Sequence, residues 1–250
     1  MAEYPLASQS LSLGKYEADV LSLVKSWDES GNVARLWKRD ASLFSGADEA
    51  RWMAWLDIVD EQLKDTSHLA KATADAARNV DGSSMVTAMV ISCRGFAIRV
   101  SGLGDEWIKG PYPQIQAKLF GNHTEDEITW MGGESIIAET IGLGGFAQAN
   151  APALQKYQGG SANAMIERNQ ELYQITIGEN PDYHIPVLNY RGTPTGIDIF
   201  KVVETGVLPA MDIGVAGRDG GQIGAGIVRA PMECFTEAVK KYNARYGGGR

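Results

Sequence analysis

Glycine is distributed very unevenly along this chain, and that asymmetry constrains its fold more than any other feature. Of the 29 glycines in 250 residues, three lie in residues 1–81 and 23 in residues 82–226. The last three form the Gly247-Gly248-Gly249 tail. Glycine reaches backbone conformations closed to other residues and weakens helix interiors, so the two regions must use their backbones differently. The expected division is a helical packing or docking region over 1–80, a glycine-rich domain over 81–246 and a flexible tail over 247–250. The fold class expected is α+β, an N-terminal helical region followed by a glycine-rich mixed α/β domain.

In the first region, Glu17 to Trp27, Val33 to Leu43, Ala47 to Leu63 and His68 to Ala77 carry apolar residues at three- and four-residue intervals, the helical period. Four of the six tryptophans fall here, at 27, 37, 52 and 55. Such aromatic stripes fill cores or subunit contacts more often than they stack on ligands. Fourteen acidic and nine basic residues give residues 1–81 a charge of -5.

Beyond Gly82 the pattern changes. Met85 to Ile91 and Gly95 to Val100 read as strands, rich in β-branched residues. Pro111 to Thr129 reads as irregular, and Gly132-Gly133 leads to a short helix from Glu134, which Gly144-Gly145 keeps from running on. Ala162 to Tyr173 has helical spacing, Ile185 to Asn189 reads as a strand, and Leu208 to Val215 as extended chain. Asp198 can cap a short helix, Ile199 to Thr205, closed by Gly206, while Pro231 opens a final helix to about Tyr246.

Two glycine-bearing segments are candidate ligand cradles. Arg191 to Asp198 combines two glycines, a proline, Thr193 and Thr195, and delivers the chain to a helix start. Free N–H groups, two hydroxyls and a guanidinium suit a carboxylate or phosphate. The same residues also make a rigid turn with a capped helix. Gly214 to Gly226 holds six glycines in thirteen residues, with Arg218, Gln222, Gly224 and Arg229 available to an anion. Small residues there equally serve close packing. Neither GxGxxG nor GxxxxGK[ST] occurs, so no dinucleotide or nucleotide-phosphate loop is expected.

Glu134 and Glu139 are five residues apart, about 140° around an ideal helix, which disfavours a paired-carboxylate site. Glu139 orienting a basic side chain is the better reading. Asp81-Gly82-Ser83-Ser84 can bind an anion or simply turn the chain, and Asp105, beside the Gly102-Leu103-Gly104 turn, can line a pocket. His68, His123 and His184 are isolated, so no metal is expected. Cys93 and Cys234 form no CxxC motif and suit a reducing compartment. No cofactor is expected.

Composition narrows the classes of function. Thirty-one acids against 23 basic residues give a net charge of -8, unsuited to holding a nucleic-acid backbone. No apolar run approaches the roughly eighteen residues that span a bilayer. Met1 to Ser12 lacks a basic stretch followed by an apolar core, so no secretory signal is expected and the cytoplasm is the expected location. Neither a nucleic-acid nor a membrane partner is expected.

Several segments, in order, resemble a known family. They are Asp81 to Met89, Arg99 to Gly104, Ala138 to Ala147, Gly178-Glu179-Asn180-Pro181, the Arg191 to Asp198 segment and Gln222 to Gly226. Together they are similar to the C-terminal half of the YlbE-like family, a domain of unknown function. One branch of that family is associated with oxamate carbamoyltransferase. The resemblance covers about residues 67–240. It implies a subunit of an assembly that moves a carbamoyl group between oxalurate and phosphate, giving oxamate and carbamoyl phosphate. An FdrA-like protein, or a chain carrying the family's N-terminal half, would be its partner, with a homo-oligomer also possible. Many relatives show Asn-Thr-Gly and then Ala-His-Lys where this chain has Asp212-Ile213-Gly214 and Ala216-Gly217-Arg218.

For such a transfer, the meeting of glycine-rich backbone with basic and hydroxylic side chains makes Glu139, Arg191 and Arg218 the expected catalytic residues. Ser83, Ser84, Arg99, Asp105, Thr140, Thr193, Thr195, Asp198, Gln222 and Gly224 are the expected substrate- or anion-binding set. The alternatives are an assembly subunit that has kept the fold without the activity, and a transferase or amidohydrolase acting on another small amide.

Overall fold

The structure is a computed structural model and describes residues 69–92, 94–130, 132–133 and 135–247. The helices expected at Glu17–Trp27, Val33–Leu43 and Ala47–Leu63, and the docking region built from them, lie outside the described residues, as do residues 248–250 of the tail.

The described chain is mixed α+β, with three small antiparallel sheets. Helix α1 (Leu69–Asp75) precedes strands β1 (Val86–Ser92), β2 (Gly95–Val100) and β3 (Ile108–Gly110), which form the first sheet in that order. Every residue of β1 and β2 is buried. That is why their sequences are largely apolar rather than alternating. One face, with Ala88, Val90 and Ala97, packs under Ala70 and Ala74 of α1 and under Ile137 and Ile141. The other face, with Met89, Ile91, Phe96 and Ile98, belongs to the main core, which also holds Phe146, Leu172, Ile197, Met211, Val228 and Phe235.

The stretch read as irregular contains β4 (Ile115–Leu119). Its Ile-Gln-Ala-Lys-Leu sequence alternates in the strand period, and its exposure alternates with it. Two short 3-10 segments follow, Ser135–Ile141 and Gly144–Asn150, where a helix from Glu134 was expected. Left-handed Gly142 (φ +88°) lies between them, and left-handed Gly144 (φ +57°) opens the second. Helix α2 (Gln155–Gln158) leads to α3 (Ala162–Leu172), whose N-cap Ser161 accepts the N–H of Ala164 at 3.2 Å.

Strands β5 (Thr176–Ile185) and β6 (Arg191–Ile197) make a two-stranded ribbon. Two expectations are corrected here. Ile185 to Asn189 is not a strand: Pro186 opens a 3-10 turn, Pro186–Leu188, and Asn189 and Tyr190 take left-handed conformations. Arg191 to Asp198 is not a turn but strand β6 and the cap that follows it. Each strand of a two-stranded ribbon has a free edge, which accommodates Pro194. Helix α4 (Ile199–Thr205) starts as expected: Asp198 Oδ1 accepts the N–H groups of Phe200 and Lys201 at 2.9 and 3.0 Å, and Gly206 ends the helix at φ +72°.

Strands β7 (Ala210–Ala216) and β8 (Gln222–Arg229) complete the second sheet, in the order β4-β8-β7, and α5 (Met232–Tyr246) follows Pro231. The glycine-rich segment 214–226 is therefore a hairpin. At Gly226 a Cβ would lie 1.9 Å from the carbonyl oxygen of Gln116, so only glycine lets β4 come this close. Among the described residues no helix is long and apolar enough to cross a membrane.

Candidate functional site

Strand β7 is an edge of its sheet, and a cleft of about 330 Å³ opens along it. Residues 212–216 of β7 form one wall, and Gly132 and Gly133 contribute to the other. Gly133 is tied to the first sheet through two main-chain bonds with Ile91, at 3.1 and 2.8 Å. Gly221 and Gln222 of the β7–β8 hairpin complete the lining along with Ile91 and Ile136. A Cβ on Gly132 would lie 2.9 Å from the carbonyl oxygen of Ile91, so glycine is what brings that wall against β1.

Behind β7 lies a buried carboxyl. Glu139, 2% exposed, directs Oε1 at two main-chain N–H groups, those of Gly145 (3.0 Å) and Asp212 (3.1 Å). A Cβ on Gly144 would stand 2.3 Å from the same oxygen, so the left-handed glycine turn is shaped around the carboxyl. Burial pushes the Glu139 pKa up to about 8, against the opposing pull of the two N–H donors. Glu139 is therefore largely a neutral acid at pH 7. These contacts join it to main chain, where the sequence suggested that it would orient a basic side chain.

Asp212 lines the cleft itself. Burial raises its carboxyl to about 6, while hydrogen bonds from Gln158 and Gln148 and the charge of Arg168 hold it down. Gln148 is the hub of this network. Its Nε2 donates to Asp212 Oδ1 and to Gln158 Oε1, and its Oε1 accepts from Arg168 Nη1. Arg168 in turn is lowered by burial and by the neighbouring Arg229, which pairs with Glu171 at 2.7 Å. A carboxyl near pKa 6 at the wall of a cleft is poised to take or give a proton near neutrality.

The fold gathers the sequence's candidates into several groups. Thr140, Thr193 and Thr195 meet where residues 140–142 cross β6: Thr195 Oγ1 donates to the Thr140 carbonyl at 3.3 Å. Thr140 Oγ1 donates to the Ile137 carbonyl at 2.7 Å. A Cβ on Gly142 would be 2.3 Å from Thr193 Oγ1. Thr193 is completely buried, and its hydroxyl has no hydrogen-bond partner. Ser84 donates to Asp198 Oδ2 at 2.5 Å, so both serve the start of α4, and Ser83 Oγ accepts the N–H of Met85 at 3.4 Å.

Arg99 and Asp105 sit elsewhere, at the first sheet. Arg99 lies over the Trp107 ring at 4.6 Å and donates through Nε to the Asp105 carbonyl at 3.0 Å. The Asp105 carboxyl pairs with Arg78 at 2.7 Å, which holds it below its ordinary value. Arg191 is about half exposed, pairs with Glu179 at 2.6 Å and stacks on Tyr173 at 3.7 Å. Gln222 and the exposed Arg218 occupy the β7–β8 hairpin beside the cleft, with the Arg218 N–H donating to the Glu127 carbonyl at 2.7 Å. Gly224 packs in β8, where a Cβ would meet the Lys118 carbonyl oxygen at 2.7 Å.

Sequence reasoning missed Asp212, Gln148 and Arg168 as site residues. The one available signal was Asp212 itself, an acid inside an otherwise apolar extended run. Gln148 and Arg168 meet it only through tertiary folding. Among the described residues, no three His, Cys, Asp or Glu side chains cluster as metal ligands would.

Comparison with known proteins extends this picture. A family model for the oxamate carbamoyltransferase subunit AllG matches residues 60–135. The uncharacterized protein YahG of Escherichia coli (strain K12) is 39% identical over 181 residues, 72% of this chain and 38% of YahG. The oxamate carbamoyltransferase subunit AllG of the same strain is 35% identical over 204 residues, 80% of this chain and 49% of AllG. A crystal structure of a conserved protein of unknown function from Enterococcus faecalis V583 superposes with a TM-score of 0.68 at 41% identity, over 70% of this chain and 42% of that one. The chain thus spans half or less of the length of the curated relatives it matches. Across the matched region, the chain is similar to the AllG and YahG proteins.

Proposed function

We propose that this chain is a subunit of a multi-subunit carbamoyltransferase, acting on oxamate and oxalurate with phosphate as the other carbamoyl acceptor. The observation that carries the reading is Asp212, a half-buried carboxyl with a pKa near 6 at the wall of a cleft, in a chain similar to the AllG and YahG proteins. In the synthetic direction the amide nitrogen of oxamate attacks the carbonyl carbon of carbamoyl phosphate. A C–N bond forms, the bond from that carbon to the bridging phosphate oxygen breaks, and phosphate leaves with the electron pair. The proton lost from nitrogen goes to the Asp212 carboxylate. In the reverse direction the same carboxyl returns it to the departing oxamate nitrogen.

Gln148 and Arg168 hold Asp212 in place. Neutral Glu139 fixes the main chain at Asp212 without adding a second negative charge beside it. Gln222 and Arg218, on the hairpin at the cleft, are the groups proposed to meet the phosphate. Positioning and electrostatic complementarity supply most of such a transfer. The partners proposed are an FdrA-like subunit or a chain carrying the remaining family length, and the setting is the cytoplasm.

The test is a transfer assay on the complex purified through this chain. Oxalurate and phosphate are expected to give carbamoyl phosphate and oxamate in equal amounts. An assembled complex that shows no transfer in either direction would overturn the reading and favour the non-catalytic assembly subunit.

A further inference from the structure

The edge of β7 carries an open pair of main-chain groups. The N–H of Phe120 donates to the Ile223 carbonyl at 2.8 Å, so Ile223 faces β4. By strand alternation Gly226 and Val228 face β7, where they pair with Ile213 and Met211. Asp212, Gly214 and Ala216 then face away from β8. Two observations agree: the Asp212 N–H reaches Glu139, and the Ala216 carbonyl accepts from Thr129 at 3.1 Å. Between these two satisfied positions sits Gly214, exposed and lining the cleft. Among the described residues, nothing hydrogen-bonds its outward N–H or its outward C=O.

We infer that Gly214 reads a small α-carbonyl amide by its main chain, binding it as a neighbouring strand would bind. In an antiparallel hydrogen-bonded pair, two residues exchange both N–H···O bonds, each offering an N–H and a C=O joined through N–Cα–C–O. Oxamate offers the same N–C–C–O sequence in one planar ion, with an amide N–H at one end and a carboxylate oxygen at the other. Its N–H donates to the Gly214 carbonyl, and its carboxylate accepts from the Gly214 N–H. This deepens the transferase reading and rests on it for the identity of the ligand.

A Cβ on Gly214 would come within 3.0 Å of the Gln222 carboxamide, a flexible side-chain end that can shift. A Gly214→Ala chain therefore keeps both main-chain groups. Gly214→Pro removes only the outward N–H, leaving the β7–β8 ladder intact, and an edge strand tolerates it.

Binding of oxamate and of N,N-dimethyloxamate to the assembled complex, by calorimetry, tests the inference independently of turnover. The complex is expected to bind oxamate at least tenfold more tightly than the dimethyl compound, which has no N–H to give. Gly214→Pro should weaken oxamate by at least tenfold, and Gly214→Ala by less than threefold. Equal affinity for the two compounds in the unaltered complex would overturn the inference, as would no oxamate binding at all. Should Gly214→Pro fail to assemble, the comparison of the two ligands decides alone. A complex that binds with this selectivity but transfers no carbamoyl group would refute the transferase reading and leave the binding mode standing.

Discussion

Glu139 shows how one residue's burial sets a property of the whole chain. Its carboxyl is raised from 4.5 to about 8, so between those values the folded chain keeps a proton that the unfolded chain has lost. Stability should therefore fall as pH rises from about 4.5 through about 8 and level off above. Asp212, raised from 3.8 to about 6, adds to the lower part of the same slope. A single such group contributes at most about 1.4 kcal/mol per pH unit. Glu139→Gln keeps an oxygen for the Gly145 and Asp212 N–H groups and has no proton to lose. Urea melts at pH 5 and pH 8.5 should show a clear loss of stability in the parent chain and a smaller one in Glu139→Gln. Glu139 was visible in the sequence as a polar residue in a glycine-framed segment. Its partners were not, because they are main-chain groups 6 and 73 residues away. At Cys234, burial pushes the thiol up to about 12, so iodoacetamide at pH 8 should alkylate it only upon unfolding.

At the scale of elements, local chemistry was legible and long-range pairing was not. Asp198 before Ile199 and Gly206 after Thr205 announce α4, because caps act within a few residues. The Ser84 hydroxyl that completes Asp198 comes from 114 positions away. Asp198→Ala removes the cap and strands that hydroxyl, and should cost about 2–3 kcal/mol in denaturant melts. β6 escaped recognition because glycine, proline and threonine are the residues of turns, and only its pairing with β5 makes them a strand. β4 escaped because prolines and polar residues crowd its short alternating run. The glycines of β8 are legible only with β4 in place. Gly226→Ala drives a methyl group onto the Gln116 carbonyl, and should cost about 1–3 kcal/mol by displacing β4.

For the whole molecule, the glycine-rich residues 82–247 hold all three sheets of the described fold, and α1 of the preceding segment packs against β1 and β2. The largely apolar runs of β1 and β2 reflect their place between two cores. The cleft was not legible. It lies where the free edge of one sheet faces the Gly132-Gly133 strap held on another, and no single segment encodes that meeting. The ordered family motifs point to the carbamoyltransferase reading, and Asp212, at the wall of the cleft, is the group proposed to handle its proton.

The most direct test of that claim is the pH dependence of oxalurate synthesis by the assembled complex, for the parent chain and for Asp212→Asn. With Asp212 as base, kcat should rise as pH passes through about 6, because only the carboxylate accepts the proton from oxamate. Asp212→Asn should lower kcat by about a hundredfold or more and abolish the limb near pH 6. A variant that assembles normally and keeps both the parent kcat and the parent pH profile would contradict the account.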